Sequence, residues 1–212
     1  MSQNVNAPDA GRRHQQDVPS ILLPIAFIAF VLVLLACTLP YLASTSSIGS
    51  MAPQSSGFRL TDDRGQAVTD RSWPGKFLLI YFGYTHCPDL CPTMLSNIAG
   101  ALNALGARAD RVQPLFVTVD PQRDTPSVMK QYVGLFSPRI MGLTGTPAQL
   151  ADAAQDYGVR FARQQTGPGR DDYEMEHSAF VYLLYPSGDL ALTIPPGQTS
   201  GAMASELASQ LQ

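Results

Sequence analysis

Hydrophobic and polar positions divide the chain into two regimes. From Ile21 to Ala43 the sequence ILLPIAFIAFVLVLLACTLPYLA carries no charge over 23 positions, roughly 34 Å of helix at about 1.5 Å per residue and long enough to cross a bilayer. Arg12 and Arg13 precede this stretch and no basic residue follows it until Arg59, which predicts a cytoplasmic N-terminus and an exported remainder. Residues 44–56, STSSIGSMAPQSS, are small and polar and read as a flexible spacer. The expected organisation is a polar tail over 1–20, a transmembrane anchor over 21–43, a linker over 44–56 and a folded domain over 57–212.

From residue 57 onward apolar runs are short and punctuated. Phe58 to Thr69 alternates apolar and polar around Asp63-Arg64-Gly65, which predicts a hairpin. Lys76 to Tyr84 contains FLLIYFGY, a run with no polar face and hence a strand buried on both sides. Pro92 to Ala109 places Met94, Leu95, Ile98, Leu102 and Leu105 on one helical stripe, and residues 114–119 (PLFVTV) give a second buried strand. Helices are predicted over Thr125–Phe136 and Thr146–Tyr157, each with a proline in its first turn. A third apolar strand, HSAFVYLLY, runs from His177 to Tyr185 and turns at residues 186–189 into a partner at Leu190–Ile194; a helix over Ser200–Leu211 closes the chain. The stretch from Gln164 to Glu176 reads as irregular. Buried strands alternating with helices predict an α/β domain, a thioredoxin-like mixed sheet with helices on both faces.

Composition narrows the function classes. A net charge of −3 without long charge runs offers no basic stripe to a phosphate backbone, so no nucleic-acid partner is expected. Three cysteines are too few for a disulfide scaffold. Cys37 follows Leu34-Leu35-Ala36, a pattern that also fits a lipoprotein cleavage site, so anchoring through a lipidated Cys37 stands as the alternative to an intact helix.

Cys87 and Cys91 lie in THCPDLCP, between a buried strand and a helix. Pro92 sets the expected helix start at residue 92, with Cys91 near the cap and Cys87 in the preceding loop, and the positive end of the helix dipole favours thiolate there. Thiolates serve both metal binding and disulfide exchange. A metal needs a third ligand, and the domain offers His86 and His177. His86 adjoins Cys87, and extended neighbours point to opposite sides, so a solvated loop residue is the expectation for it. His177 opens the third strand; as a ligand or as a structural histidine it remains open on chemistry alone. Two thiolates and an imidazole suit Cu(I) and accommodate Cu(II), whereas structural zinc generally wants a fourth ligand that this sequence does not supply. A thiol-disulfide oxidoreductase needs only the cysteine pair. A peroxidase built on Cys87 fits the paired cysteines less naturally, and no separate catalytic residue is assigned.

GYTHCPDLCPTML at 83–95, VDPQRDTP at 119–126 and YEMEHSAFVYLLYPSGDL at 173–190, with FRLTDDRGQAVTDRSWPGKFLLIYF before them at 58–82, resemble the Sco/SenC family of copper-handling proteins. The similarity spans residues 57–194. It implies a thioredoxin-like fold in which Cys87, Cys91 and His177 bind one copper ion and deliver it to the binuclear copper site of cytochrome c oxidase subunit II. It also implies a redox-active pair, Cys87 and Cys91, able to reduce the cysteines of that site, and a donor chaperone and a thioredoxin-like reductant as further partners. By the same resemblance Asp120 lies near the copper pocket as an outer group or weak oxygen ligand. Arg123 and Asp124 could form a local ion pair, and Met175 could add a soft ligand, although anchoring of its loop is the plainer role. The implied location is an inner membrane, spanned once, with the domain facing the periplasm.

Overall fold

The computed structural model describes residues 57–211; the stretches expected to be an anchor (21–43) and a linker (44–56), and Cys37, lie outside the described residues. Among those described, no helix is long and apolar enough to cross a membrane.

Among the described residues nine strands and four α-helices follow in the order β1 (Arg59–Asp62), β2 (Ala67–Thr69), β3 (Phe77–Gly83), α1 (Leu90–Leu105), β4 (Val112–Thr118), α2 (Pro126–Gly134), β5 (Met141–Thr144), α3 (Pro147–Asp156), β6 (Phe161–Gln165), β7 (Tyr173–His177), β8 (Val181–Leu184), β9 (Leu190–Ile194) and α4 (Ser200–Gln210). Seven strands form one sheet in the order β2-β1-β5-β4-β3-β8-β9, and β6 pairs with β7 apart from it. The β3, β4 and β5 strands are parallel, while β1, β2, β8 and β9 run antiparallel to their neighbours. This is the thioredoxin-like α/β arrangement expected from the sequence.

Strand β3 is the centre of the core. All seven of its residues are buried, so both faces of the sheet are covered, as the unbroken apolar run requires. Tyr81 pairs with Phe116 of β4 in register, and their rings lie 5.8 Å apart, with Tyr132 of α2 5.7 Å beyond Phe116. The opposite face carries Phe82, whose ring meets Tyr157 after α3 and Tyr182 of β8. Helix α2 approaches β5 closely because Gly142 has no side chain: a Cβ there would fall 2.8 Å from the Cβ of Met129.

Helix starts follow local chemistry. Thr125 and Thr146 cap α2 and α3 through hydroxyls that accept the amides of Val128 and Gln149, and Gln149 returns a bond to the Thr146 amide. Helix α1 begins at Leu90, not at Pro92. Its first backbone bond runs from the Thr93 amide to the Asp89 carbonyl, and Pro92, within the first turn, lacks only an N–H that would have no partner inside the helix.

Two regions differ from the expected pattern. The four-residue strand β5 was not anticipated. The stretch from Gln164 to Glu176, expected to be irregular, holds the end of β6, the hairpin turn and most of β7, and His177 ends β7, paired with Phe161, instead of opening the third strand. The third strand proper is Val181–Leu184.

Candidate metal centre

The parallel strands β3 and β4 end side by side at Gly83 and Thr118, and the residues that follow build the site. After Gly83 the chain makes a tight turn in which the Cys87 amide bonds back to the Tyr84 carbonyl at 3.4 Å, which puts His86 at the exposed tip and Cys87 half-buried at its end. The segment is therefore a turn rather than extended chain. Cys91 then enters the first turn of α1 and is fully buried. Asp89, at the cap position, makes no side-chain cap bond; the Cys87 sulfur accepts the Cys91 amide instead, at 3.3 Å. Gly83 leaves room for this arrangement, since a Cβ there would fall 2.9 Å from Cys91 Sγ and 2.6 Å from the Phe116 ring.

The hairpin supplies the imidazole. Tyr173, Met175 and His177 alternate with Glu174 and Glu176 along β7, the first set buried or half-buried and the second exposed, so one face of the strand turns inward. Met175 packs against the core. His177 Nδ1 lies 3.0 Å from the Ser178 carbonyl. A carbonyl only accepts, so Nδ1 carries the proton and Nε2 is the nitrogen turned toward the sulfurs, 3.5 Å from Cys91 Sγ. The Tyr84 ring stands edge-on to the imidazole at 5.9 Å.

Cys87 Sγ, Cys91 Sγ and a His177 ring nitrogen lie within 4.8 Å of one another, the only such group of three histidine, cysteine or acidic residues among the described residues. Two sulfurs and one imidazole converging on one point could hold a soft or borderline metal ion. Asp120 does not join this group. Both of its oxygens are engaged elsewhere, Oδ1 by the Tyr173 hydroxyl at 2.8 Å and Oδ2 by Arg123 Nε.

The two cysteines differ in electrostatic character. Both are free thiols. Hydrogen bonding from the Cys91 thiol lowers the Cys87 pKa to about 4, against the effect of burial and with help from the amides of Cys91 and Asp89. Cys91 is pushed far upward by the thiolate it faces and by burial. Beneath it the hydroxyl of fully buried Tyr81 points at its sulfur at 3.6 Å, and burial raises the Tyr81 pKa so that it remains a donor. The pair thus holds one proton, on the inner sulfur.

One loop fastens both arms of the site. Between β4 and α2, Asp124 is 0% exposed and accepts from the Thr85 amide at 3.1 Å, the Thr85 hydroxyl at 2.5 Å and the Thr118 hydroxyl at 2.5 Å. Burial raises its pKa, and the three donors pull it back. Asp120, four residues earlier, holds the hairpin through Tyr173. That ring lies between the guanidinium groups of Arg123 and Arg163, at 3.7 and 3.6 Å, and Arg123 Nη1 also reaches the Tyr173 carbonyl at 3.1 Å. The expected Arg123–Asp124 pair does not form. Arg123 bonds Asp120, and Asp124 turns inward because Thr85 and Thr118 offer it donors.

The SCO1/SenC family profile matches residues 48–212. This chain belongs to the SCO1/SenC family. A curated relative, Protein sco1 of Schizosaccharomyces pombe, is 39% identical over 160 residues, covering 74% of this chain and 61% of the relative; matches to curated relatives span 44% to 64% of their lengths. Among solved structures, copper-bound ScoI of Bradyrhizobium japonicum is 43% identical with a TM-score of 0.67, over 73% of this chain and 98% of that one. Copper-bound yeast Sco1 is 35% identical with a TM-score of 0.69, over 74% of this chain and 87% of that one.

Two expected outcomes follow from the geometry. In the reduced, metal-free protein, alkylation of Cys87 should stay at its plateau as pH falls and drop only near a midpoint of about 4, because the thiolate persists down to that pH; a midpoint in the usual thiol range contradicts the hydrogen-bonding scheme. Asp124→Asn places an amide donor among three existing donors and should cost about 1–3 kcal/mol of stability, read by chemical denaturation, with faster hydrogen exchange at the Thr85 amide. Unchanged stability and exchange would remove Asp124 as the clamp of the cysteine turn.

Proposed function

We propose that this protein is a copper metallochaperone that binds one ion through Cys87, Cys91 and His177 and delivers it to the binuclear copper site of cytochrome c oxidase subunit II. The convergence of two sulfurs and one imidazole nitrogen within 4.8 Å carries the reading, supported by the copper-bound relatives of the same fold. The donor set suits the task. Sulfur favours Cu(I), imidazole tolerates Cu(II), and three protein ligands leave room for an incoming ligand from a partner. Asp120 supports the site from outside the ligand set by holding the hairpin that bears His177.

Delivery requires the ion to leave as well as bind. Cys87, half-buried on a turn and already a thiolate, is the ligand an acceptor thiolate replaces first; Cys91, buried beneath it, is released last. No substrate is turned over, so the site needs no general base. Residues 21–43 anchor the chain in the inner membrane, or a lipid on Cys37 does so, and 44–56 tether a periplasmic domain over 57–212. A donor copper chaperone and a thioredoxin-like reductant complete the set of partners.

The Cys87 thiolate also favours a second reading, thiol-disulfide exchange with the cysteines of the same acceptor site. Cys87 attacks a partner disulfide and expels one partner thiolate. Cys91 then gives up its proton and displaces the second, leaving a Cys87–Cys91 disulfide and two electrons on the partner. The high pKa of Cys91 slows that second step, which ranks this reading below the chaperone.

Titration of the reduced full chain with Cu(I) should give one-to-one binding, and His177→Ala should weaken it by more than the roughly 10–100-fold typical of losing an outer-shell partner. Equal affinity in the variant removes His177 as a ligand. Weak copper binding together with rapid reduction of a model disulfide places the oxidoreductase first.

A further inference from the structure

His86 stands outside the three-ligand group yet has the outer partner of a metal ligand. Its Nδ1 lies 3.1 Å from the Thr85 hydroxyl oxygen. That hydroxyl has a single proton, committed to Asp124 Oδ1 at 2.5 Å, while the other carboxylate oxygen, Oδ2, accepts the Thr85 amide and the Thr118 hydroxyl. The Thr85 oxygen can therefore only accept from His86, so Nδ1 bears the ring proton. The lone pair is on Nε2, in an exposed side chain at the tip of the turn that ends in Cys87. His177 has the same tautomer, fixed by the Ser178 carbonyl. Two imidazoles, one in the three-residue group and one on the residue before Cys87, thus share the tautomer that, in the neutral ring, leaves Nε2 free for a metal.

Resting on the chaperone reading, we propose that His86 is a transient copper ligand that takes the ion as it passes between the Cys87–Cys91–His177 set and a partner. In the exchange a Cu–N bond to His86 Nε2 forms as one resident copper–ligand bond breaks. No electron moves, and the bond uses the Nε2 lone pair while Nδ1 stays bonded to Thr85. The turn explains why His86 is not a resident ligand: its tip lies next to Cys87 along the chain but outside the cluster formed by the two sulfurs and His177. Exposure fits transfer, since an acceptor reaches the rim before it reaches buried Cys91.

The test loads the reduced full chain with Cu(I) and follows transfer to the chromophoric chelator bathocuproine disulfonate. His86→Ala should keep one-to-one binding and unchanged affinity while the transfer rate falls about tenfold, the lower end of what a lost ligand-orienting partner costs in affinity elsewhere. Added imidazole should restore the rate in the variant and leave the native rate unaltered. Long-range proton–nitrogen correlation spectra of the metal-free chain should show His86 protonated on Nδ1, a state that Thr85→Val loses. An unchanged transfer rate, failure of imidazole to rescue, or the opposite tautomer overturns the proposal. A parallel loss of equilibrium affinity makes His86 a resident ligand and overturns its transient role. If the native chain binds no copper, the chaperone reading falls and this inference with it; native binding with an indifferent His86 removes the inference alone.

Discussion

Two buried carboxylates on one loop hold the site together. Removing a carboxylate from water is tolerated only where donors replace the lost hydration, and Asp120 and Asp124 draw theirs from different parts of the chain. Asp124 takes the Thr85 amide and hydroxyl from the cysteine turn and the Thr118 hydroxyl from β4. Asp120 takes Tyr173 from the hairpin and Arg123 from its own loop. Thr118 joins the two, donating to Asp124 and accepting the Asp120 amide at 2.8 Å. Moving either arm away from the loop would strand a buried charge, so the cysteine turn and the histidine strand are fixed relative to each other although 86 residues separate Cys91 from His177.

That rigidity is confined to the frame. The two sulfurs of one short motif occupy different media, Cys91 buried beside Gly83 and above Tyr81, and Cys87 at the end of an exposed turn. The inner sulfur keeps the proton because it is the more costly place for a charge, and the outer sulfur keeps the charge because three donors and a helix start face it. The helix α1 amide that would otherwise be capped by Asp89 is satisfied by Cys87 Sγ. A metal competing for that sulfur therefore meets a ligand already deprotonated and already aimed.

The features legible in the sequence were those whose cause is local. FLLIYFG has no polar face and became the fully buried β3; Thr125-Pro126 and Thr146-Pro147 cap and start helices wherever they occur and did so here. The cysteine pair at a strand-to-helix junction was equally plain, although the helix start shifted because a proline in the first turn interrupts nothing. Features whose cause is distant were hidden. Met141–Thr144 is too short for its period to register, and it is a strand because β1 and β4 flank it. Tyr173 to His177 does alternate with period two, a signal that was present, but four of the five residues of its partner strand are exposed, so no apolar run marked the pair. That Arg123 chooses Asp120 over its neighbour Asp124 depends on Thr85, 39 residues away from Asp124, which no local pattern encodes.

In the proposed chaperone role, tight binding and ready release make opposite demands on one set of ligands, and this site would answer them by position rather than by ligand type. Soft sulfurs would hold Cu(I) strongly wherever they were placed. If both were buried, an acceptor would have to open the core to compete, at a cost of several kcal/mol for each polar group exposed or left unpaired. With Cys87 half-buried at the end of an exposed turn, the proposed exchange would begin outside the core, and every later step would proceed with one more bond already made to the acceptor. In the proposed role the frame need not deform at all during the first exchange, because the bonds that fix it run through Thr85, Asp120, Asp124 and Tyr173 and none of them is among the proposed copper ligands. Keeping the groups that set the geometry separate from the groups that change partners would allow a rigid site to pass on its cargo.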